Sequence, residues 1–593
     1  MESPSHSLCL DMRTTNRIGI NEQWIKKGCM VLKGILLAGH EGCERLAIVG
    51  LLTNTMVYLR TKYNMDIVAI IKMFNIFSGT TSLATLGGAF LADSYIGRFL
   101  TILVASFSYL IGMTLWTVTA LVPSLRPPHC SDAEAKLREC ISASKVQMFF
   151  VVMALIFLSI GSAGIRPCAL AFGADQFEKG GKKKTQQEKS LQSFFNWYWF
   201  ANCTIILLGS TVIVYLQSNV SWGLGFGVCT LLMLISIIAF IVGMPIFYYE
   251  IPQGSPFTAI AQLIVASIKK RDLSLPSDPA LLYYDQASPK IPVTPRFRFL
   301  EKAAIPTEGD MKADGSVARP WNVSSIHKVE DLKVLIAILP MFSCLIGNAI
   351  TGGQQSTYAV FQALTMNRHM GSSKFKVPAA SMSIFSLLAS IMWIPLYDRV
   401  MVPLIRRVTK QVRGITSLQR MGIGYIISSL SLLVAGFVEV KRRNVAKSHG
   451  LTDDPLAVVP ISVFWLVPQF FIVGLANCFH AVGYLDFFYN EFPSNLRSTA
   501  LALASCMYAL GDYLTAILIT LVHKTTGGHG KPSWLDSNIN LGRLDYFYWL
   551  LSAMEALNVV YFFFCASRYS YREIPVPDGT SEVPEMTSME IEM

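Results

Sequence analysis

Three ionisable side chains lie within five residues of one apolar run, in Glu41-Gly42-Cys43-Glu44-Arg45. On a helix, positions three and four apart share a face, so Glu41 aligns with both Glu44 and Arg45. Each such group costs roughly 3 kcal/mol on insertion scales when placed in hydrocarbon, so this face must line a cavity or meet partners. A carboxylate beside an arginine, alternately wet and dry, suits a proton carrier: desolvation favours the neutral acid and pairing favours the anion. The plainer alternative is a fixed buried ion pair. A further cation, Arg166, stands in a separate apolar run, Gly161-Ser162-Ala163-Gly164-Ile165-Arg166-Pro167-Cys168. It can pair with the Glu41 and Glu44 carboxylates, or it can snorkel from a helix end.

Other polar positions carry weaker signals. In Gly87-Gly88-Ala89-Phe90-Leu91-Ala92-Asp93-Ser94-Tyr95-Ile96-Gly97-Arg98 the glycines permit close helix approach, and Asp93 and Arg98 can lock the turn by charge-assisted bonds. Asp512 and Glu555 are intramembrane acids without an evident role; Asp512 is a candidate to face a cavity and Glu555 to pair with a neighbouring helix. Arg98-Phe99-Leu100-Thr101 has basophilic kinase spacing, which chance explains more simply than regulation. Asn219-Val220-Ser221 is a glycosylation sequon in a loop too short for modification. Most cysteines sit singly in apolar runs, as small buried hydrophobes do. Cys130 and Cys140 flank a polar loop and can pair if it faces an oxidising side. No Cys/His spacing indicates a metal, and no nucleophile–base set or phosphate loop indicates an enzyme.

The elements that position these groups follow from composition. Of 593 residues 52% are apolar and only 15% charged, with mean hydropathy +0.44. So little charge cannot coat several soluble domains of that total length, but it suits a chain solvated by lipid. A net charge of +11 fits lysines and arginines in cytoplasmic loops; no basic stretch resembles a nucleic-acid module. A bilayer core needs about 20 apolar residues per helix. Twelve stretches qualify, near 31–59, 67–92, 99–122, 146–171, 199–217, 222–247, 330–352, 377–397, 416–440, 458–486, 499–522 and 544–566. A proline- and lysine-bearing polar break from Tyr248 to Lys328 divides them six and six. The expected fold is an all-α membrane protein of twelve transmembrane helices in two six-helix bundles, the layout of major facilitator transporters. The expected domains are a tail at 1–30, a bundle at 31–247, a cytoplasmic linker at 248–329, a second bundle at 330–566 and a tail at 567–593. Within the linker, 258–271 alternates apolar and basic faces and predicts a helix along the membrane surface.

Four motifs in order, ExxER in the first helix, GAFLADSYIGR, GIRPCALAFGADQF and Phe194-Phe195-Asn196-Trp197-Tyr198-Trp199-Phe200, resemble the plant nitrate transporter 1/peptide transporter family, within the proton-dependent oligopeptide transporters of the major facilitator superfamily. The likeness continues through Gln354-Gln355, Thr365-Met366-Asn367-Arg368, Leu396-Tyr397-Asp398-Arg399, Trp465-Leu466-Val467-Pro468-Gln469 and Asp486-Phe487-Phe488-Tyr489, covering roughly 28–570. The resemblance implies alternating access and proton symport, with protons as the coupling ion and no other cofactor. It puts the Asp93–Arg98 turn on the cytoplasmic side, and it implies that Glu41, Glu44, Arg45 and Arg166 couple protons to a small-molecule substrate. Gly254-Ser255-Pro256-Phe257, Met421-Gly422-Ile423-Gly424 and Ala435–Lys441 look most like a branch linked to nitrate, nitrite and gibberellin transport.

Two departures bear on substrate. Relatives often carry a glutamate where Asn477 stands, and peptide carriers use it on the peptide amine; a neutral Asn argues against peptides. Gly352 occupies the position of a nitrate-binding histidine in some relatives, so a small anion loses a donor here. Both changes widen the pocket. Expected substrate contacts are Asn477, Gly352, Gln354, Gln355 and His480, one turn from Asn477, unless that histidine serves only as hydrogen-bonded structure. The expected function is proton symport of nitrate, nitrite or a hormone such as gibberellin, with a bulkier glycosylated metabolite as the alternative. A channel or non-transporting receptor would not need a titrating cluster. The plasma membrane is the expected location, with vacuole or plastid envelope open.

Overall fold

A computed structural model describes residues 22–131, 134, 139–178, 204–249, 256–276, 278, 281–284, 293–312, 317–371, 375–409, 415–491, 497–527 and 532–569. The Phe194–Phe200 motif and both tail ends lie outside them. Helix α1 spans Glu22–Thr53 and a short α2 Thr55–Lys62. Next come α3 Ile67–Leu91, α4 Gly97–Leu121, α5 Lys145–Glu178, α6 Thr204–Val220 and α7 Trp222–Gly243. The linker contributes α8, Pro256–Lys269. The second half holds α9 Ile326–Leu364, α10 Ile384–Leu396, α11 Val402–Thr409, α12 Ser417–Ser448, α13 Val467–Glu491, α14 Arg497–Thr526 and α15 Leu544–Arg568. Helices stand at all twelve expected positions, and the molecule is an all-α membrane protein.

The apolar run Ile67–Leu121 contains 55 residues. As one straight helix it would reach about 80 Å, far beyond a hydrocarbon core of about 30 Å. It folds back because Ala92–Ile96 forms a widened turn and Gly97 takes φ 77°, a left-handed conformation open to glycine. Arg98 Nε stands 3.7 Å from Asp93 Oδ1, an ion pair across that turn. At its start α3 is capped by Asp66, whose carboxylate accepts from the backbone N–H of Val68 and Ala69. Several boundaries differ from expectation, α1 among them at Glu22–Thr53 against 31–59, and two of the shifts have a visible cause. Helix α9 continues to Leu364 because its polar residues Gln354, Gln355 and Thr357 are buried against neighbouring helices rather than ending the span. Helix α13 starts at Val467, because β2 (Val459–Ser462) pairs in parallel with β1 (Met366–Asn367) just before it.

Small residues set the helix spacing in the first half. A methyl group built on Gly88 of α3 would overlap the backbone carbonyl of Ala163 in α5, and one on Gly164 would meet Thr101 O at 2.9 Å in α4. Without a hydrophobic drive between helices in lipid, such close packing is what holds them. Gly88→Ala must therefore separate α3 from α5; the expected loss is roughly 1–3 kcal/mol, read as a lower thermal midpoint of the purified protein. Thr101 is buried and donates to Gly97 O, so the kinase-like spacing leads to a side chain without access to solvent.

The halves meet at the end remote from the Asp93–Arg98 turn. Ser537 donates to Asp66, and Arg60 Nη2 donates to Ser537 O at 3.4 Å. Gln354 Nε2 donates to Asn75 Oδ1 at 3.1 Å, and Ser381 Oγ to Ser210 O at 2.7 Å. Nearer the middle, Thr80 and Tyr513 hydroxyls are 2.9 Å apart, and Gly79 lets α3 approach α14 beside Ala509 and Asp512. The loop at this same end carries a disulfide between Cys130 and Cys140.

The linker has its own core. Leu263 and Ala266 of α8 pack with Leu300, Ala303 and Ala304, and with Ile326, Val329 and Leu332 of α9. Lys333 on α9 is clamped by Glu301 at 2.7 Å and Glu330 at 2.8 Å. Lys270 meets Asp310 at 2.9 Å. Burial alone would raise the Asp310 carboxyl, but bonds from Thr307, Lys270 and Asn322, with the Lys270 charge, hold it well below the usual carboxylate range. Its contribution to stability is present above the ordinary carboxylate value and is lost only as pH falls through the depressed one, so it is complete at neutral pH.

Candidate functional site

The midpoint of α1 carries the charged cluster. Arg45 Nε donates to Glu41 Oε1 at 3.1 Å, one turn apart. Glu44 is 3% exposed, and its Oε2 has no hydrogen-bond partner among the described residues. A cavity of about 330 Å³ opens beside it, walled by Glu44, Arg45, Phe74, Tyr109, Ile165 and Arg166 among others. Three of the four residues expected to handle protons therefore share one wall, and Glu41 is tied to that wall through Arg45. Arg166 gains its position from α5, whose Gly164, two residues earlier, lies against α4. Tyr109 and Phe74 were not singled out from sequence; an aromatic within an apolar run carries no spacing that marks it as a cavity wall.

This arrangement has a defined chemical capacity. Two guanidinium groups and two carboxyl groups, one with an open oxygen, can exchange a proton for a cation contact without assembling new groups. The aromatic and aliphatic walls provide the apolar body typical of small-molecule sites, which run from about 300 Å³ upward.

The second-half residues separate into open and occupied positions. A Cβ on Gly352 would meet only Asn348 Oδ1, at 4.0 Å, and one on Gly353 would meet nothing within 4 Å. Asn477 is exposed. These three positions border open space. Gln354 is instead engaged with Asn75 across the halves, although its own Oε1 has no partner among the described residues. The amide of Gln355 is taken up within the second half: its Nε2 donates to Ser431 O and Gln469 O, and its Oε1 accepts from Ser431 Oγ. His480 is buried, with Nε2 3.1 Å from the Tyr425 hydroxyl and its ring stacked on Tyr484. Of the two sequence readings, the hydrogen-bonded structural histidine describes this position.

Glu555 meets a neighbouring helix as expected, accepting from Thr351 Oγ1 at 2.7 Å. Asp512 lies at the contact of the halves, within reach of Ser78, rather than on the wall with Glu44. A buried pair missed from sequence is Glu439 with Arg442 on α12. Arg442 donates bidentately, at 2.7 and 2.8 Å, and also to Asn540, Thr365 and Ile539 O, while Gln362 donates to Glu439 and accepts from Tyr548. The three-residue spacing was the available signal. Among the described residues no group of His, Cys, Asp and Glu has the makings of a metal site.

Comparison with known proteins bears on this geometry. The model of the POT family (PTR2) matches residues 99–535. Protein NRT1/PTR FAMILY 3.1 of Arabidopsis thaliana is 43% identical over 558 residues, 93% of this chain and 92% of that protein. Protein NRT1/PTR FAMILY 2.13, also from Arabidopsis thaliana, is 42% identical over 564 residues, 93% and 90% of the two chains. Among solved structures, an auto-inhibited POT family peptide transporter matches with TM-score 0.66 at 17% identity, covering 92% of this chain and 98% of that one. The POT family transporter PepTSo matches at 0.65 and 17%, over 90% and 97%. At that identity the two structures speak for the fold alone.

Proposed function

The chain belongs to the POT family and is a proton-coupled membrane carrier rather than an enzyme, and from that premise we propose that it imports a compact organic acid of hormone size, such as a gibberellin, across the plasma membrane. The observation that carries this reading is the open space at Gly352 and Gly353. In the first half, the cavity beside Glu44 supplies arginines that suit a carboxylate, and its Phe74 and Tyr109 suit an apolar body. The four-atom nitrate ion would leave most of about 330 Å³ unfilled, and a glycine offers it no side-chain donor. Neutral Asn477 gives no anchor for a peptide amine.

In this mechanism, Glu44 receives a proton while the outer side is open. Loss of its charge weakens attraction to Arg45 and Arg166, which frees both guanidiniums for the substrate carboxylate. With the solute bound, the halves close at the Asp66 end, as seen here, and open toward the linker. Release of solute returns the arginines to the carboxylates, and the proton leaves. Glu41 holds Arg45 in place throughout.

Uptake competition separates the substrate classes. Excess nitrate should leave gibberellin uptake unchanged, whereas strong suppression by nitrate would favour the inorganic anion. Filling the gap with Gly352→Leu should cut organic-acid uptake at least about tenfold, a change of 1.4 kcal/mol. A variant that still carries the acid at full rate would remove this pocket from the substrate path. A glycosylated metabolite is the second reading, and the same open space favours it; uptake of a glycoside that the free acid does not compete with would select it.

A further inference from the structure

We propose that the linker carries a docking surface for anionic phospholipid headgroups of the inner leaflet, formed by the outer stripe of α8 and the segment that packs beside it. The helix has two apolar faces. One, with Leu263 and Ala266, is consumed by the linker core. The other presents Ile264, 42% exposed, and Ile268, 61% exposed, one turn apart on a single stripe. Ser267 Oγ donates to Phe299 O at 3.0 Å, which brings Phe299, itself 58% exposed, alongside. Cations rim these three apolar side chains. Arg298 adjoins Phe299 and is exposed. Arg271 is 77% exposed at the end of α8, and Lys302 Nζ donates to Arg271 O. Asp272 offsets one of these charges.

The position of this surface is fixed as well as its composition. The Lys333–Glu301–Glu330 cluster joins the linker to α9 immediately before the apolar residues Val334 and Leu335. From Ile326, in the linker core, to Val334 is eight helical steps, or about 12 Å. The linker core on which α8 packs therefore lies within about 12 Å of the start of that apolar run, on the side of the Asp93–Arg98 turn. Apolar side chains flanked by arginine and lysine at that depth match the headgroup region, where the apolar atoms enter the acyl boundary and the cations meet lipid phosphates. The sequence predicts a surface helix here; the structure adds that one apolar face is already used internally, so that the lipid contact falls to the face bearing Ile264 and Ile268.

The test uses the full chain in nanodiscs of phosphatidylcholine, with and without phosphatidylserine, and in detergent, followed by hydrogen exchange of peptides within 256–273 and 297–304. Exchange at the outer stripe should slow at least about tenfold on adding phosphatidylserine and recover in high salt. Arg271→Glu with Arg298→Glu should abolish the lipid dependence, and Ile268→Glu with Phe299→Glu should abolish the protection, while core peptides around Ile326 to Leu332 stay protected in every case. Equal exchange in all three media overturns the proposal: fast exchange throughout means a solvated face, and slow exchange throughout means a face covered by the protein itself or by a second copy. The wild-type comparison needs no substitution, so misfolding of a variant does not blunt it.

Discussion

Carriers with Glu41→Gln or Glu44→Gln are expected to bring their solute to equilibrium and no further. With one proton per neutral-equivalent cycle, an inward gradient of one pH unit supplies 1.4 kcal/mol and supports about tenfold accumulation. A glutamine at 44 keeps the shape of the protonated acid but cannot release a proton, and one at 41 no longer holds the Arg45 guanidinium by charge, so in either variant the accumulation ratio should fall to about one. Exchange of labelled for unlabelled solute should survive in Glu44→Gln, because binding and rocking with the acid neutral remain available. Arg45→Ala should lose both, since it removes the partner of Glu41 and a cation from the cavity wall. The measurement is uptake into vesicles under an imposed pH difference, with and without a protonophore. Full uphill transport by both glutamine variants would take these carboxylates out of the coupling step.

The largest stability effect is expected away from the cavity, at Arg442. Its guanidinium and the Glu439 carboxylate are wholly buried and bonded to each other and to Asn540, Thr365 and Gln362. Arg442→Ala leaves Glu439 as an uncompensated buried anion, and breaking a buried pair in this way costs about 3–5 kcal/mol. The purified variant should show a sharply lower thermal midpoint and a poor yield of folded protein. Replacing both residues by leucine should lose less than Arg442→Ala alone, since no charge is then stranded. Equal losses for the single and double variants would show that packing, and not charge, sets the stability of this cluster.

Much of this architecture was legible because lipid imposes simple requirements. Twelve apolar stretches of spanning length had to be helices, and ExxER in the middle of one had to face polar surroundings. The spacing of Glu41, Glu44 and Arg45 placed them on one face, and the structure has Glu44 and Arg45 on one wall with Arg166. What sequence hid was pairing between distant elements. Gln354 and Gln355 are adjacent, yet one reaches Asn75 across the halves and the other is bound to Ser431 within its own half. No local pattern distinguishes those two amides, because helix rotation and the identity of the facing helix decide them. His480 is similar: its one-turn spacing from Asn477 suggested a shared role, but Gly424 lets α12 come close enough for Tyr425 to take the ring. The linker core was hidden too: the sequence marked a polar linker with one surface helix, and no spacing in it showed that Lys270 and Lys333 would find acids there.

The seal at the Asp66 end has a consequence for speed. Ser537, Arg60, Gln354, Asn75, Ser381 and Ser210 close it with single hydrogen bonds, each contributing about 1 kcal/mol net and somewhat more where Asp66 or Arg60 takes part. Those bonds sum to a few kilocalories, the scale of the free energy one proton delivers, and apolar packing of Val57 and Val214 with Ala380 adds to them. Each polar group of the seal can trade its partner for water as the halves part, so the part of the latch that sets direction is built to reopen.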